Sequence, residues 1–301
     1  MTDNGRVVAV GFFDGVHIGH AALLNKAKQK ALETGTTPAV LSFDTHPDDV
    51  VFHQAVRLIG DSENREDLIK RYFGIEEVFF LRFDRDLMNM PWDQFITFSS
   101  AKFNIRCYVV GYDFTFGRNG EGTAEKLKCY CQQHGLGCEI IDPVRLDGSI
   151  VSSIMIRSLI EQGDIQKANR FLGHPYCLSG TVRNGFHIGR QMHAPTINMS
   201  LPAGVVIPRY GVYATKVVLQ NNDEYMAATN IGVRPTFSTD ERVSVESFLL
   251  HFHDNLYGKN VRVDFHGFIR QEKKFEDISS LSAQIQKDIN EAETFLLRYC
   301  R

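Results

Sequence analysis

Residues 11–20 read G-F-F-D-G-V-H-I-G-H. They follow a short apolar run, Val7-Val8-Ala9-Val10, and precede a helix-like run at 21–33 rich in Ala, Leu, Lys and Gln. An apolar strand, a glycine-rich turn and a helix in direct succession restrict the chain to an α/β arrangement. The turn also has a chemical character. A helix N-terminus presents unpaired N–H groups and partial positive charge, which favour anions. Gly11, Gly15 and Gly19 let the backbone approach a phosphate closely. His17 and His20 add donors that are neutral or cationic near pH 7. The plainer alternative is a connection whose histidines are incidental.

A second segment, Val151-Ser152-Ser153-Ile154-Met155-Ile156-Arg157, stands where the first half of the chain ends. Helix-like sequence follows it. Two hydroxyls and a guanidinium beside a helix start suit a polyphosphate: Ser gives short hydrogen bonds, and Arg a planar fork matched to phosphate oxygens. Alone, the segment would read as a Ser N-cap and a surface Arg. The pair of segments resembles the HxGH nucleotidyltransferase superfamily, whose second motif runs I-S-S-T-x-x-R. Ile154 stands where that pattern has a hydroxyl, so Ser152, Ser153 and Arg157 carry the match.

The first half alternates short apolar strands (7–10, 37–43, 77–81, 107–110, 138–141) with helical runs (21–33, 65–73, 92–103, 124–134). That order implies a parallel sheet covered on both faces, with ligands past the carboxyl ends of the strands. The loops carrying His17 and His20, Asp44-Thr45-His46-Pro47, and Gly111-Tyr112-Asp113-Phe114 all lie there. From residue 179 the strands lengthen and alternate: 211–219, 225–230, 243–252 and 261–268, with polar turns between. Such a pattern argues for an antiparallel sheet or small barrel. A closing helix at 280–299 is apolar at Leu281, Ile285, Ile289, Ala292, Phe295 and Leu296. The expected domains are 1–175, a Rossmann-like α/β nucleotidyltransferase, and 176–301, an antiparallel β-barrel with a C-terminal helix.

At 301 residues the chain has room for two cores, and its 43% apolar content is that of a globular protein. A net charge of −3 leaves no basic footprint for nucleic acid. The most basic stretch, 270–274, is interrupted by Glu272 and reads as a solvated face. No apolar run reaches membrane-spanning length, and the first residues lack a signal-peptide pattern, so the expected place is the cytoplasm. The six cysteines are expected to be reduced thiols. Cys129, Cys131, His134 and Cys138 do not have zinc-knuckle spacing, because i and i+2 on a helix face different ways. Oligomeric state is left open, a homo-oligomer included.

Both halves together resemble the bacterial bifunctional riboflavin kinase/FAD synthetase family. The first half matches through residues 11–20, 43–47, G-Y-D-F-T-F-G at 111–117 and V-S-S-I-M-I-R at 151–157. The second matches through Gly189-Arg190, Pro195-Thr196-Ile197-Asn198, Gly211-Val212-Tyr213, Val245-Glu246 and F-I-R-Q-E-K-K-F at 268–275. The resemblance implies an N-terminal FMN adenylyltransferase and a C-terminal riboflavin kinase. ATP with Mg²⁺ is then the co-substrate, and riboflavin, FMN and FAD are substrates or products. It implies His17, His20, Arg157 and Glu246 as catalytic residues. For the nucleotide it implies Gly11, Phe13, Asp14, Gly19, Ser152 and Ser153 in the first half, with Gly189, Arg190, Thr196 and Asn198 in the second. Thr196 and Asn198 are also the implied Mg²⁺ ligands. For the flavin it implies Phe43, His46, Pro47, Asp113, Phe114 and Tyr213.

One departure bears on the kinase. Met192-His193-Ala194 stands where the family usually has Leu-Gly-Phe. A histidine at a left-handed glycine position costs about 1 kcal/mol. Three readings therefore stand together. They are a bifunctional enzyme, an FAD synthetase with a weakened or lost kinase, and a flavin-binding regulator without turnover.

Overall fold

The computed structural model describes residues 4–53, 55–183, 196–234, 242–252 and 254–299. The chain divides into two compact units, Met1–Ser153 and Ile154–Arg301.

The first unit is built on a five-stranded parallel sheet. Its strands are β1 (Arg6–Val10), β2 (Thr37–Phe43), β3 (Glu77–Leu81), β4 (Ile105–Gly111) and β5 (Gly137–Ile141), in the order β3-β2-β1-β4-β5. The central strand β1 has Val7, Val8, Ala9 and Val10 buried, as a strand covered on both faces requires. Helix α1 (Ile18–Thr34) follows β1 and buries Leu23, Leu24, Ala27 and Ala31 at three- and four-residue spacing. After β2 come a short helix α2 (Pro47–Val51) and α3 (Ser62–Phe73), the latter capped by Asp61, whose side chain accepts from Asn64 N–H. Helices α4 (Trp92–Phe103) and α5 (Ala124–Gln133) precede β4 and β5. In α5 Cys131 is buried and Cys129 exposed.

The boundary between the units falls at the first residue of α6 (Ser153–Gln162), and the second unit runs on from Ile154 through α7 (Ile165–Leu172). A closed antiparallel barrel follows: β6 (Tyr176–Arg183), β7 (Thr196–Met199), β8 (Gly211–Val218), β9 (Glu224–Arg234), β10 (Arg242–Leu249) and β11 (Asn260–Gln271), in the order β6-β7-β10-β9-β8-β11. Thr215, Thr229 and Ser247 form a buried hydroxyl ladder inside it, at 2.6 and 2.8 Å. Helix α8 (Ile278–Tyr299) lies on the outer face, where Ala292 and Leu296 pack with Val212, Ala214 and Ala228. Two barrel strands lie outside the runs the sequence picks out: Thr196–Met199 is strand β7, and β6 begins at Tyr176, before residue 179. Strand β7 alternates Thr196 and Asn198 with buried Ile197 and Met199, but four residues are too short a run to declare the period. Helix α7 belongs to the barrel unit because Ile165, Ala168, Phe171 and Leu172 are buried there. Asn169 ties it further, donating to the Phe265 carbonyl at 2.8 Å and accepting from Tyr176 N–H at 2.7 Å. No helix among the described residues is long and apolar enough to cross a membrane.

Candidate functional site

In the first unit the turn between β1 and α1 is bent sharply. Phe13 and Val16 hold left-handed backbones, φ 60° and 42°. For a β-branched valine this is a strained state that the surroundings must enforce. Gly15, at φ 73°, has Ile59 so close that a Cβ would have no room. Asp14 is buried; its Oδ1 accepts from Ile59 N–H at 2.8 Å, and its carbonyl accepts from the Ser153 hydroxyl at 3.0 Å. Asp14 and Ser153 thus join the two sequence motifs within one unit.

His17 is the N-cap of α1. Its Nδ1 accepts from His20 N–H at 3.2 Å, which assigns the neutral ring the Nε2–H tautomer and leaves Nε2 as a donor. The His17 and His20 rings stack at 3.6 Å and 13°, and Phe13 meets His20 edge-on at 5.1 Å. At Gly19 a Cβ would stand 3.0 Å from the His17 ring, so a larger residue would push the cap aside. Burial, then His17 and then Arg65, hold the His20 pKa well below its usual value, so the resting imidazole is neutral.

Other expected residues of the first unit follow the carboxyl ends of β1, β2 and β4. His46 caps α2, its Nδ1 accepting from Asp48 N–H at 3.2 Å, with Pro47 at the first helical position. Phe12 meets His46 edge-on at 4.6 Å. Phe43 is buried at the end of β2 against Phe83. Asp113 is exposed, and Phe114 stacks on Phe116 at 5.2 Å. Gly11 closes the β1 end, its N–H donating to the Leu41 carbonyl at 3.2 Å. Ser152 precedes α6, and Arg157 lies one turn beyond Ser153 in that helix, half-buried.

Sequence reasoning missed Arg65. In R-E-D-L-I-K-R it reads as a solvated face, yet it is fully buried. Burial lowers its pKa to about 10, which leaves it a cation at neutral pH.

In the second unit a cavity of about 260 Å³ opens between the outer face of the barrel and α8. Thr196, Asn198, Asn230, Glu246, Arg270 and Asp288 are among its lining residues. Barrel register explains the grouping. Asn198 pairs with Glu246, Glu246 with Asn230, Asn230 with Val212, and Val212 with Arg270. These five residues form one row across five strands. Val245, Ser247 and Leu249 are buried on the opposite face of β10, so Glu246 is not a plain solvent-facing strand position. Asn198 Oδ1 is buried and has no hydrogen-bond partner among the described residues.

Tyr213 is not brought to this cavity. Strand alternation sends Val212 outward and Tyr213 inward, where it is fully buried against Phe265 and Phe268 and donates to the Arg209 carbonyl. The 270–274 stretch is not a simple solvated face either. Arg270 donates to both carboxylate oxygens of buried Asp288, at 2.7 and 2.6 Å, and with Lys273 lines the cavity. Gly189, Arg190 and Met192-His193-Ala194 lie outside the described residues.

Known proteins match both units. Residues 1–155 match the FAD synthetase family and residues 172–296 the riboflavin kinase family. A bifunctional riboflavin kinase/FMN adenylyltransferase of Listeria monocytogenes is 32% identical, over 99% of this chain and 94% of that protein. One of Bacillus subtilis is 34% identical, over 95% and 91%. A solved structure described as a macrolide-efflux protein from Streptococcus pneumoniae superposes with a TM-score of 0.85 at 29% identity, over 96% of this chain and 94% of that one. The chain therefore belongs to the bifunctional riboflavin kinase/FAD synthetase family, enzymes of FMN and FAD biosynthesis.

Proposed function

We propose that the two chemistries divide between the two units. The cavity bearing Glu246 phosphorylates riboflavin, and the turn bearing His17 and His20 adenylylates FMN. The row Asn198–Glu246–Asn230 at the barrel cavity carries the first assignment. The riboflavin 5′-hydroxyl is neutral and must lose a proton as it attacks the γ-phosphate. Glu246 takes that proton, and ADP leaves. Thr196 and Asn198 offer oxygen donors on one face of β7, and the buried Asn198 Oδ1, without a hydrogen-bond partner among the described residues, fits a hard cation. They are the residues that would hold Mg²⁺, whose charge would neutralise the ATP phosphates.

Adenylyl transfer needs no general base, because the FMN phosphate is already ionised when it attacks the α-phosphorus and expels pyrophosphate. The site must orient two polyanions and stabilise transition-state charge. The tautomer of His17, which makes Nε2 the donor nitrogen, supports that role. Ser152 and Ser153 precede and begin α6, where hydroxyl and N–H donors suit the leaving pyrophosphate. Arg157 is included on the strength of the sequence motif.

An HPLC assay of riboflavin with Mg-ATP tests the reading. FMN and FAD as products support it. FAD made only from added FMN would indicate a failed kinase half, and flavin binding without either product would point to a regulator.

A further inference from the structure

Arg65 is among the largest fully buried side chains of the described residues, and it is a cation. Placing a guanidinium where no water reaches it costs several kcal/mol, so its surroundings must compensate. They do so at one place. Nη1 donates to the Phe12 carbonyl at 2.6 Å and to the Ser42 hydroxyl at 2.9 Å, and Nη2 donates to the Phe43 carbonyl at 3.0 Å. The Ser42 hydroxyl itself donates to the Phe12 carbonyl at 3.0 Å. The guanidinium also lies over the rings of Phe12 and Phe80, at 4.1 and 5.2 Å. Asp14, Asp44 and Asp61 surround it electrostatically.

All three acceptors lie where β1 and β2 end. Phe12 precedes the two left-handed residues, Phe13 and Val16, that aim His17 and His20. Phe43 precedes the loop that carries His46. A strained turn keeps its shape only where fixed neighbours over-determine it. A hydrophobic residue could fill this volume but could not tie two carbonyls and a hydroxyl together.

We propose that Arg65 is a positioning residue for adenylyl transfer, a buried cation that locks the ends of β1 and β2 so that the turn from Phe12 to His17 presents both imidazoles. The inference rests on the assignment of His17 and His20 to that reaction. A misplaced transition-state donor lowers turnover more than substrate binding.

The test uses the full chain with FMN and ATP, comparing Arg65→Met, Arg65→Lys and Ser42→Ala with wild type. Arg65→Met is expected to lower kcat for FAD formation about 10–100-fold with KM for FMN and ATP within about threefold. Arg65→Lys keeps the charge but serves fewer acceptors, and should recover part of that rate. FMN formation from riboflavin should stay at wild-type level. Wild-type kcat in folded Arg65→Met, or KM rising at constant kcat, overturns the proposal. So does a kcat loss that only follows the folded fraction by near-UV CD. If Arg65→Met does not fold, Ser42→Ala decides: a kcat loss of about three- to tenfold at constant KM supports the lock, and wild-type kcat refutes it. His20→Ala, measured in parallel, separates the two levels. If it leaves FAD formation intact, the site assignment has failed. If it removes FAD formation while Arg65→Met does not, only the lock has failed.

Discussion

Asn198 on β7 and Glu246 on β10 stand directly opposite each other in the barrel register, and Asn230 on β9 faces the same Glu246 from its other side. A carboxylate-bearing residue flanked by two amides in the lining of a cavity suits a base that must accept one proton in a fixed place. A positioned base of this kind contributes about 10²–10⁴-fold. Glu246→Gln keeps the volume and removes the base, so FMN formation is expected to fall within that range. Riboflavin affinity, read by fluorescence quenching, should stay near wild type, and FAD formation from added FMN should not change. Intact FMN production in this variant would return Glu246 to a structural role.

The His17 and His20 imidazoles are stacked at one helix start, and the proposed role makes them donors to the reacting phosphates. Removing one donor to a developing oxyanion costs about 10²–10³ in rate. His20→Ala is therefore expected to lower FAD formation by that factor, with FMN formation from riboflavin unchanged. Equal loss of both products would refute the division of chemistry between the units.

Much of the fold and of the site is legible in the order of the amino acids alone. Strands β1 and β2 show themselves as largely apolar runs, because strands buried on both faces have little polar side to present. The H-x-G-H and S-S-x-x-x-R segments stand out through residue chemistry at helix starts, and the structure joins them through the Ser153–Asp14 hydrogen bond. What stays hidden depends on distance in space. Arg65 looks like its charged neighbours Glu66 and Lys70, and only the fold turns it inward under Phe12. The Arg270–Asp288 pair joins residues 18 positions apart, on a strand and a helix that meet only in the folded barrel. Tyr213 sits beside the cavity-lining Val212 in sequence, but strand parity sends it into the barrel.

The neutral state of His20 has a consequence for stability. Its folded pKa is depressed well below 6.5, so the unfolded chain binds the proton more readily. Stability is fully present above about pH 6.5 and declines as pH falls toward the folded value, at no more than about 1.4 kcal/mol per pH unit. His266, also depressed by burial, adds a decline of the same sign in the barrel. His20→Gln removes only the first contribution. Thermal unfolding at pH 7.5 and 5.5 should show a smaller acid loss in His20→Gln than in wild type, with the His266 share common to both. Equal losses would show that His20 titrates as it does in the unfolded chain.

Where the barrel unit begins is testable by truncation. Strand β6 starts at Tyr176, whose hydroxyl donates to the Val206 carbonyl at 2.6 Å. A fragment from 180 cuts that strand, and one from 176 keeps it but loses α7. Without α7 the Phe265 carbonyl and the Tyr176 N–H lose their Asn169 partners, and the apolar surface covered by Phe171 and Leu172 is exposed. Losing two such bonds costs about 1–3 kcal/mol, and uncovering two large side chains about 3–6 kcal/mol more. A fragment of residues 154–301 is expected to unfold cooperatively and to keep the kinase rate of the full chain. Residues 176–301 should have a lower Tm and bind a hydrophobic dye, and residues 180–301 should be degraded fastest by limited proteolysis. Equal stability of the 154–301 and 176–301 fragments would move the boundary back to residue 176 and make α7 dispensable to the barrel.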